Sequence, residues 1–205
     1  LVTLERELTR ADHVLGYFYP NKHVGLIIDE WGLWHPEATV DNGLEQTNTL
    51  RDGLFAASCL NVFNRHAHRV TMTNLAQTIN VLQCLAITEG AQMALTPTYH
   101  VYDMMRAHMG ARLLASEVET PTFDAHPVGL HRKFSVPILN ASASSSGRKL
   151  LLTVVNPSLD KTIDASIDLR GTPIASVSGR VLTSDSPRDA NTIVAPKTVV
   201  PKRVK

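Results

Sequence analysis

The residues of this sequence that could do chemistry are concentrated at positions 29–35, which read Asp-Glu-Trp-Gly-Leu-Trp-His. This stretch directly follows residues 24–28, a continuous apolar run that is typical of a strand buried on both faces, as parallel strands are. Acidic residues at the carboxyl end of a barrel strand lie on the face where such folds hold their active sites. Glu30 is therefore a candidate catalytic carboxylate. Position alone leaves open the alternative of a carboxylate that only pairs with a cation or caps a helix.

Trp31 and Trp34 are both of the tryptophans in the chain, and both follow this candidate within four residues. Indole rings beside a carboxylate suit a sugar, because the C–H faces of a sugar pack on aromatic rings while its hydroxyls take hydrogen bonds. Taken alone, two tryptophans are more often part of a core than of a binding subsite. The stretch therefore favours a carbohydrate ligand, with a packing role open for either indole.

The elements that must position these residues alternate between helix and strand. They are predicted, in order, as a helix at 4–15, a strand at 24–28, a long helix at 44–66, a strand at 69–73, a turn at 74–77, and helices at 78–88 and 97–108. Two consecutive strand–helix units on their own would leave unpaired strand edges. They predict the end of a (β/α)8 barrel, the TIM barrel, whose other strands lie elsewhere.

The composition changes near residue 110, where long helical patterns give way to short runs rich in Val, Ile, Ser, Thr and Pro. Strands are predicted at 134–141, 149–156, 161–169 and 175–182. Short strands separated by turn-forming residues indicate an antiparallel β-sandwich or jelly roll. The expected fold class is therefore α/β plus all-β. Residues 1–112 would be C-terminal β/α units of a TIM barrel, and residues 113–205 a β-sandwich domain.

Charge and composition exclude several classes of partner. The 205 residues include 20 basic and 19 acidic ones, for a net charge of +1, so no summed field attracts nucleic acid or an anionic membrane. No apolar run approaches the roughly 20 residues that cross a bilayer. Cys59 and Cys84 lie in apolar patterns that indicate buried free thiols rather than a disulfide. We therefore expect no nucleic-acid partner and no membrane partner, and a neutral ligand fits better.

The histidines are scattered and do not form a ligand pattern. His66 and His68 are two residues apart, which places them on different faces of a helix and does not favour a shared metal. A cationic helix end that complements the helix dipole is the simpler interpretation. We therefore expect neither a metal nor another cofactor.

The motif at 29–35 resembles the strand-seven motif of the α-L-arabinofuranosidases of glycoside hydrolase family 51. Further segments are similar to blocks of the same family, in the same order and spacing, at 48–52, 74–83, 95–102, 155–156, 168–171, 179–182 and 191–192. The resemblance covers nearly the whole chain. It implies that the barrel part holds strands 7 and 8.

The resemblance implies a retaining hydrolysis of terminal α-L-arabinofuranosyl residues, with Glu30 as the nucleophile that forms a covalent glycosyl-enzyme. It implies that Gln77 lines the sugar subsite, although a loop-capping amide is the alternative. Trp34 would form a wall of that subsite, whereas Trp31 is either substrate-facing or packed behind it. Asp29 is expected to be structural.

The acid/base glutamate of the family follows an asparagine near the end of the fourth barrel strand, which this chain does not contain. The resemblance therefore implies that the chain needs an N-terminal polypeptide of the same enzyme as its partner. It also implies arabinofuranosyl-containing oligosaccharides or polysaccharides as substrates, and a homo-oligomer, frequently a hexamer. A cytoplasmic location is favoured over a secreted one.

Two other functions remain open from the sequence. The first is a non-catalytic carbohydrate-binding module, against which the scarcity of aromatics after residue 110 argues, since only Phe123 and Phe134 are found there. The second is a structural half whose strand edges and apolar faces recruit the rest of a barrel.

Overall fold

A computed structural model describes residues 1–125, 133–171 and 173–204 of the chain. The helices and strands are, in chain order, α1 (Val2–Phe18), β1 (Leu26–Trp31), α2 (Leu50–Arg65), β2 (Val70–Leu75), β3 (Ala86–Glu89), β4 (Gln92–Leu95), α3 (Pro97–Met105), β5 (Arg112–Leu114), β6 (Thr122–Ala125), β7 (Phe134–Pro137), β8 (Asn140–Ser146), β9 (Lys149–Val155), β10 (Gly179–Val181) and β11 (Lys202–Val204). Short 3-10 turns occur at Val40–Asn42 and Arg106–His108.

β1 and β2 are parallel neighbours joined through α2, so they form one β-α-β unit. Leu26 of β1 and Val70 of β2 pack with Phe63 of α2 in one apolar cluster, which covers one face of the strand pair. On the other face, Ile27 is 56% exposed and Met72 is 53% exposed. The unit therefore presents an apolar surface that the described residues do not cover.

A strand is confirmed here, but it spans Leu26–Trp31 rather than 24–28, so Glu30 is inside β1 rather than after it. The prediction that this strand is buried on both faces is wrong for the described residues, because Ile27 is exposed. The long helix predicted at 44–66 begins only at Leu50. Thr49 and Asp52 form a capping box there, in which each residue's side chain satisfies a backbone N–H of the other and so stops the helix from extending backwards.

The prediction of a helix at 78–88 is wrong. Residues 76–85 form an irregular segment, and residues 86–95 form the antiparallel hairpin of β3 and β4. Asn80 and Leu82 have left-handed backbone angles that a helix does not allow, with φ of 59° and 52°. The Leu82 N–H bonds to the Leu44 carbonyl, outside its own segment. The loop buries several of its apolar side chains. Their spacing along the chain is the same as that of a helix face, so periodicity cannot distinguish the two structures.

The remainder is built of antiparallel sheets, in agreement with the expected β-sandwich. β5, β8 and β9 form one sheet, β6 pairs with β7, and β10 pairs with β11. The predicted strand at 161–169 is wrong, because this segment has no regular structure, and the strand predicted at 134–141 is divided between β7 and β8. A single parallel pair does not make a barrel, so the TIM barrel stays a prediction.

The antiparallel sheet is held on α2 by buried polar side chains. The amide of Asn61 donates to the Asn140 carbonyl at 3.1 Å and accepts from the Ser142 hydroxyl at 2.8 Å. His108 bonds Ser144 and Thr153 in the same sheet, at 2.7 Å each. Leaving these buried or half-buried groups without hydrogen bonds would be costly. The Asn61 contacts therefore define how the sheet sits on α2, and the His108 contacts join the sheet to the turn that follows α3.

The neighbouring His66 and His68 dock α1 on the end of α2. His66 Nε2 lies 2.9 Å from a Glu5 oxygen, and His68 Nε2 lies 2.9 Å from an Asp12 oxygen. Hydrogen bonds from His68 and then Arg69 hold the pKa of Asp12 below its ordinary value. The two histidines therefore do more than form a cationic helix end, because both side chains join the end of α2 to α1.

Both cysteines are buried free thiols, as expected. Burial raises the pKa of Cys59 to about 12 and that of Cys84 to about 11, so neither is a reactive thiolate at neutral pH. Cys59 lies in α2, whereas Cys84 lies in the irregular segment that was predicted to be helical. Within the described part of the chain, no helix has the length and apolar character needed to span a membrane.

Candidate active site

The candidate site lies at the edge where β1 and β2 end side by side. The Ala76 N–H donates to the Trp31 carbonyl at 2.9 Å, so the two strand ends are joined by a backbone hydrogen bond. Glu30 comes one residue before this joined pair on β1, and Gln77 comes one residue after it beyond β2. The structure therefore brings both predicted site residues to one edge, because parallel strands end on the same side of a sheet.

Asp29 joins the two strands at this edge. Its Oδ1 accepts a hydrogen bond from the Asn74 amide at 3.3 Å, so it joins β1 to β2 just before both strands end. The side chain of Glu30 is exposed. Among residues 1–125, 133–171 and 173–204, no cation and no hydrogen-bond donor pairs with the Glu30 carboxylate. It is thus accessible to a ligand, and the described residues do not support the ion-pair or cap alternative.

The two tryptophans have different surroundings. The Trp31 ring is edge-on to Phe63, with centroids 5.2 Å apart, and roughly parallel to Tyr102 at 6.5 Å. Trp34 is 64% exposed, and its Nε1–H donates to the Ala38 carbonyl at 2.8 Å. Trp31 therefore packs behind the site, which is one of its two predicted roles. Trp34 presents an indole face to solvent with its ring nitrogen already satisfied, as an aromatic wall of a sugar subsite requires.

Two buried glutamines hold the loop that carries Trp34. Gln83 Oε1 accepts from the Leu33 N–H at 2.8 Å. Gln46 Nε2 donates to the Leu33 carbonyl at 3.0 Å, and its Oε1 accepts from the His35 N–H at 2.9 Å. Both backbone groups of the residue preceding Trp34 are therefore bound by side chains from other segments.

The approach of this loop to the β2 side requires a glycine. Gly32 has a φ of 149°, and a Cβ there would lie 3.3 Å from the Ala76 carbonyl oxygen and 3.4 Å from the Gln83 side chain. A larger residue would be strained both by its backbone angle and by this contact. The glycine of the motif thus allows the loop to run against the segment that leads to Gln77.

A buried carboxylate supports the far end of the loop. Asp52 Oδ1 lies 2.6 Å from His35 Nε2, and Asp52 Oδ2 accepts from both the N–H and the hydroxyl of Thr49 at 2.7 Å. In the described residues, no three His, Cys, Asp or Glu side chains converge as a metal site would require. The exposed Glu30 carboxylate at the end of the strand pair suits nucleophilic or acid/base chemistry.

The supporting residues Gln46, Gln83, His35 and Asp52 were not assigned roles from the sequence. Asp52 carries a recognisable local signal, because Thr-x-x-Asp before an apolar helical pattern is a capping motif. The two glutamines lie in irregular segments, and although Gln83 ends the family-like block at 74–83, nothing in the local sequence indicates that either side chain is buried.

Comparison with known proteins shows that the chain is similar to α-L-arabinofuranosidases. A sequence model of the α-L-arabinofuranosidase C-terminal domain matches residues 29–205. The chain is 31% identical to an intracellular exo-α-L-arabinofuranosidase of Bacteroides ovatus, over 97% of the chain and 38% of that protein. It is 26% identical to an intracellular exo-α-(1→5)-L-arabinofuranosidase of Streptomyces lividans, over 98% of the chain and 32% of that protein.

Solved structures show the same similarity. The GH51 arabinofuranosidase of Xanthomonas axonopodis pv. citri superposes with a TM-score of 0.89 at 32% identity, over 98% of this chain and 40% of that one. The thermostable GH51 α-L-arabinofuranosidase of Thermotoga petrophila gives 0.86 at 27% identity, over 99% of this chain and 44% of that one. The chain thus spans less than half the length of each of these proteins.

Proposed function

Since the chain belongs to the α-L-arabinofuranosidases of glycoside hydrolase family 51, we propose that it supplies the nucleophile of a retaining enzyme that releases terminal non-reducing α-L-arabinofuranosyl residues. The observation that carries this proposal is the placement of Glu30. Its exposed carboxylate lies at the carboxyl edge of β1, close in sequence to the exposed indole of Trp34 and on the same edge as Gln77.

In the proposed first step, a Glu30 oxygen attacks the anomeric carbon of the arabinofuranosyl unit. The new carbon–oxygen bond forms as the glycosidic bond breaks, and a second carboxyl group gives its proton to the leaving oxygen. Water then attacks the anomeric carbon and releases the Glu30 carboxylate, with the second group taking up the proton. Retention requires the two carboxyl groups to be about 5 Å apart, so that no water fits between Glu30 and the sugar.

The proposed roles of the neighbouring side chains follow from their chemistry. Trp34 would pack its exposed face on the C–H face of the sugar, while Gln77 would donate to and accept from its hydroxyls. Trp31 would act indirectly, through the packing that supports β1. These assignments rest on the family resemblance together with the exposure of Trp34 and Gln77.

We propose that the acid/base residue belongs to an N-terminal portion of the same enzyme, and that β1 and β2 are the last two strands of its TIM barrel. Two observations support this division. The relatives are much longer than the chain, which spans 38% of the Bacteroides ovatus protein. The apolar face with Ile27 and Met72 also offers a surface for the other barrel strands to cover. The proposed boundary between barrel and β-sandwich lies at residues 112 and 113.

The names of the relatives guide the remaining proposals. An exo-acting enzyme on arabinofuranosyl-containing oligosaccharides or polysaccharides is proposed, together with an intracellular location. A homo-oligomer is proposed as well, including the hexamer that the family resemblance implies. Light scattering of the purified enzyme tests the oligomer directly.

The decisive experiment uses this chain together with the N-terminal portion, a combination called here the assembled enzyme. Hydrolysis of a chromogenic α-L-arabinofuranoside is measured for the wild type, for Glu30→Gln and for the matched control Asp29→Asn. We expect Glu30→Gln to lower kcat by about 10⁴-fold or more, because the attacking group is lost, while Asp29→Asn stays within about tenfold. Full activity in Glu30→Gln would exclude Glu30 as nucleophile.

A further inference from the structure

We infer that Gln83 is a positioning residue of this active site, whose buried amide fixes the backbone of Gly32 and Leu33 and thereby the relative placement of Glu30 and Trp34. The inference rests on the proposed function, because a positioning role requires that Glu30 and Trp34 act on the sugar. Gln83 itself faces no ligand, because its side chain is fully buried.

On one side, Gln83 contacts both segments that lead to the candidate site. Its Oε1 accepts from the Leu33 N–H at 2.8 Å, and its own N–H donates to the Ala76 carbonyl at 3.2 Å. A Cβ on Gly32 would lie 3.4 Å from the same side chain. Gln83 therefore lies between the loop that follows Glu30 and the segment that precedes Gln77, and it forms a hydrogen bond with each.

On the other side, the same amide is anchored to the start of two helices. Gln83 Nε2 donates to the Asp52 carbonyl of α2 at 2.7 Å and to the Thr98 hydroxyl of α3 at 3.2 Å. The side-chain oxygen thus holds the loop, while the side-chain nitrogen holds the helices. A glutamine suits this position because a neutral amide accepts at one atom and donates twice at the other.

The two hydrogen bonds donated by the Gln83 amide are buried, and the bond that it accepts from the Leu33 N–H is partly buried. An N–H or carbonyl that is left unpaired at a buried site costs about 1–3 kcal/mol, so displacements of Leu33 that break these bonds are disfavoured. A reacting group that is misplaced by about 1 Å loses on the order of 10²-fold in rate. Gln83 is therefore placed to affect the rate without touching the sugar.

The first test compares Gln83→Leu with Asn61→Leu in the assembled enzyme. Asn61 is an equally buried amide, but it joins α2 to β8 and does not contact the loop. Rates are expressed per folded molecule, with the folded fraction measured by near-UV circular dichroism. We expect kcat to fall about 10–100-fold in Gln83→Leu and less than about threefold in Asn61→Leu. Equal rates for the two variants would overturn the inference.

A second variant, Gln83→Glu, gives a readout that lost packing alone would not produce. A protonated carboxyl group can accept from the Leu33 N–H and donate to the Asp52 carbonyl, whereas the ionised group can only accept. The ratio of the variant's kcat/KM to that of the wild type is therefore expected to rise as pH falls. A ratio independent of pH would contradict the inference.

Hydrogen exchange separates this inference from the proposed function. In Gln83→Leu, amide exchange over residues 31–35 is expected to accelerate at least about tenfold, because the Leu33 N–H loses its acceptor. Asn61→Leu is expected to leave it unchanged. An inactive wild-type assembly would overturn the proposed function, whereas an active assembly in which Gln83→Leu leaves exchange unchanged would overturn the inference alone.

Discussion

The Asp52 carboxylate is fully buried, and its Oδ1 lies 2.6 Å from the Nε2 of His35, a residue of the loop that follows Glu30. Its other oxygen accepts two hydrogen bonds from Thr49 at the start of α2. One side chain therefore caps the helix and anchors the loop of the candidate site. The local stability of α2 and the placement of that loop depend on the same group.

We predict that Asp52→Asn lowers the free energy of unfolding by about 2–4 kcal/mol, because an amide cannot accept at both positions and leaves buried donors unpaired. Urea unfolding followed by circular dichroism measures this loss. Asp41→Asn, at an exposed carboxylate in the Val40–Asn42 turn, is the matched control and should change stability by less than about 0.5 kcal/mol. Equal stability of the two variants would contradict the prediction.

Trp34→Ala is expected to raise KM for a chromogenic arabinofuranoside about tenfold with little change in stability, since the exposed indole is proposed to contact the sugar. Steady-state kinetics and thermal unfolding of the assembled enzyme measure both effects. Trp31→Ala is the comparison, with an expected loss of about 3 kcal/mol in stability, because it removes packing against Phe63 and Tyr102. If Trp34→Ala bound substrate normally, the proposed subsite wall would be wrong.

Gln77→Ala is expected to raise KM about threefold to tenfold, the effect of losing a hydrogen bond of about 0.5–1.5 kcal/mol to a sugar hydroxyl. Its side chain is exposed, so the melting temperature should not change. Gln92→Ala, at an exposed amide in β4, provides the matched control and should leave both quantities unchanged. A drop in melting temperature without a change in KM would instead favour the loop-capping alternative for Gln77.

His108 is predicted to make stability depend on pH. Burial holds its pKa below the ordinary 6.5, while its ring bridges Ser144 and Thr153. The unfolded chain therefore takes up the proton first, so the contribution of His108 is complete above about pH 6.5 and is lost as pH falls towards the lower folded pKa.

Urea midpoints between pH 7.5 and 5 measure this effect. His108→Gln is expected to show a shallower decline with falling pH than the wild type, because it has no proton to take up. His23→Gln, at an exposed histidine, should keep the wild-type dependence. Identical pH dependences in His108→Gln and the wild type would contradict the prediction.

Predictions from the sequence succeeded where the signal was local. The apolar spacing of α2 is a property of neighbouring turns, and the apolar run before Asp29 is a local signal for a strand, although β1 continues through the acidic residues to Trp31. The same reasoning failed at 78–88, where left-handed residues and side-chain hydrogen bonds shape a buried loop. The terminal strand β11 was also not predicted, because three residues have no periodicity of their own and pair only with β10.

The sequence by itself placed Glu30 near the carboxyl end of an apolar strand and Trp34 close behind it, and its motifs indicated the arabinofuranosidase family. The tertiary structure decided which tryptophan is exposed and which residues hold the loop. The Leu33 N–H finds its acceptor in Gln83, 50 positions away along the chain. Such a bond depends on how separate segments pack, and a chain that is read locally carries no signal for it.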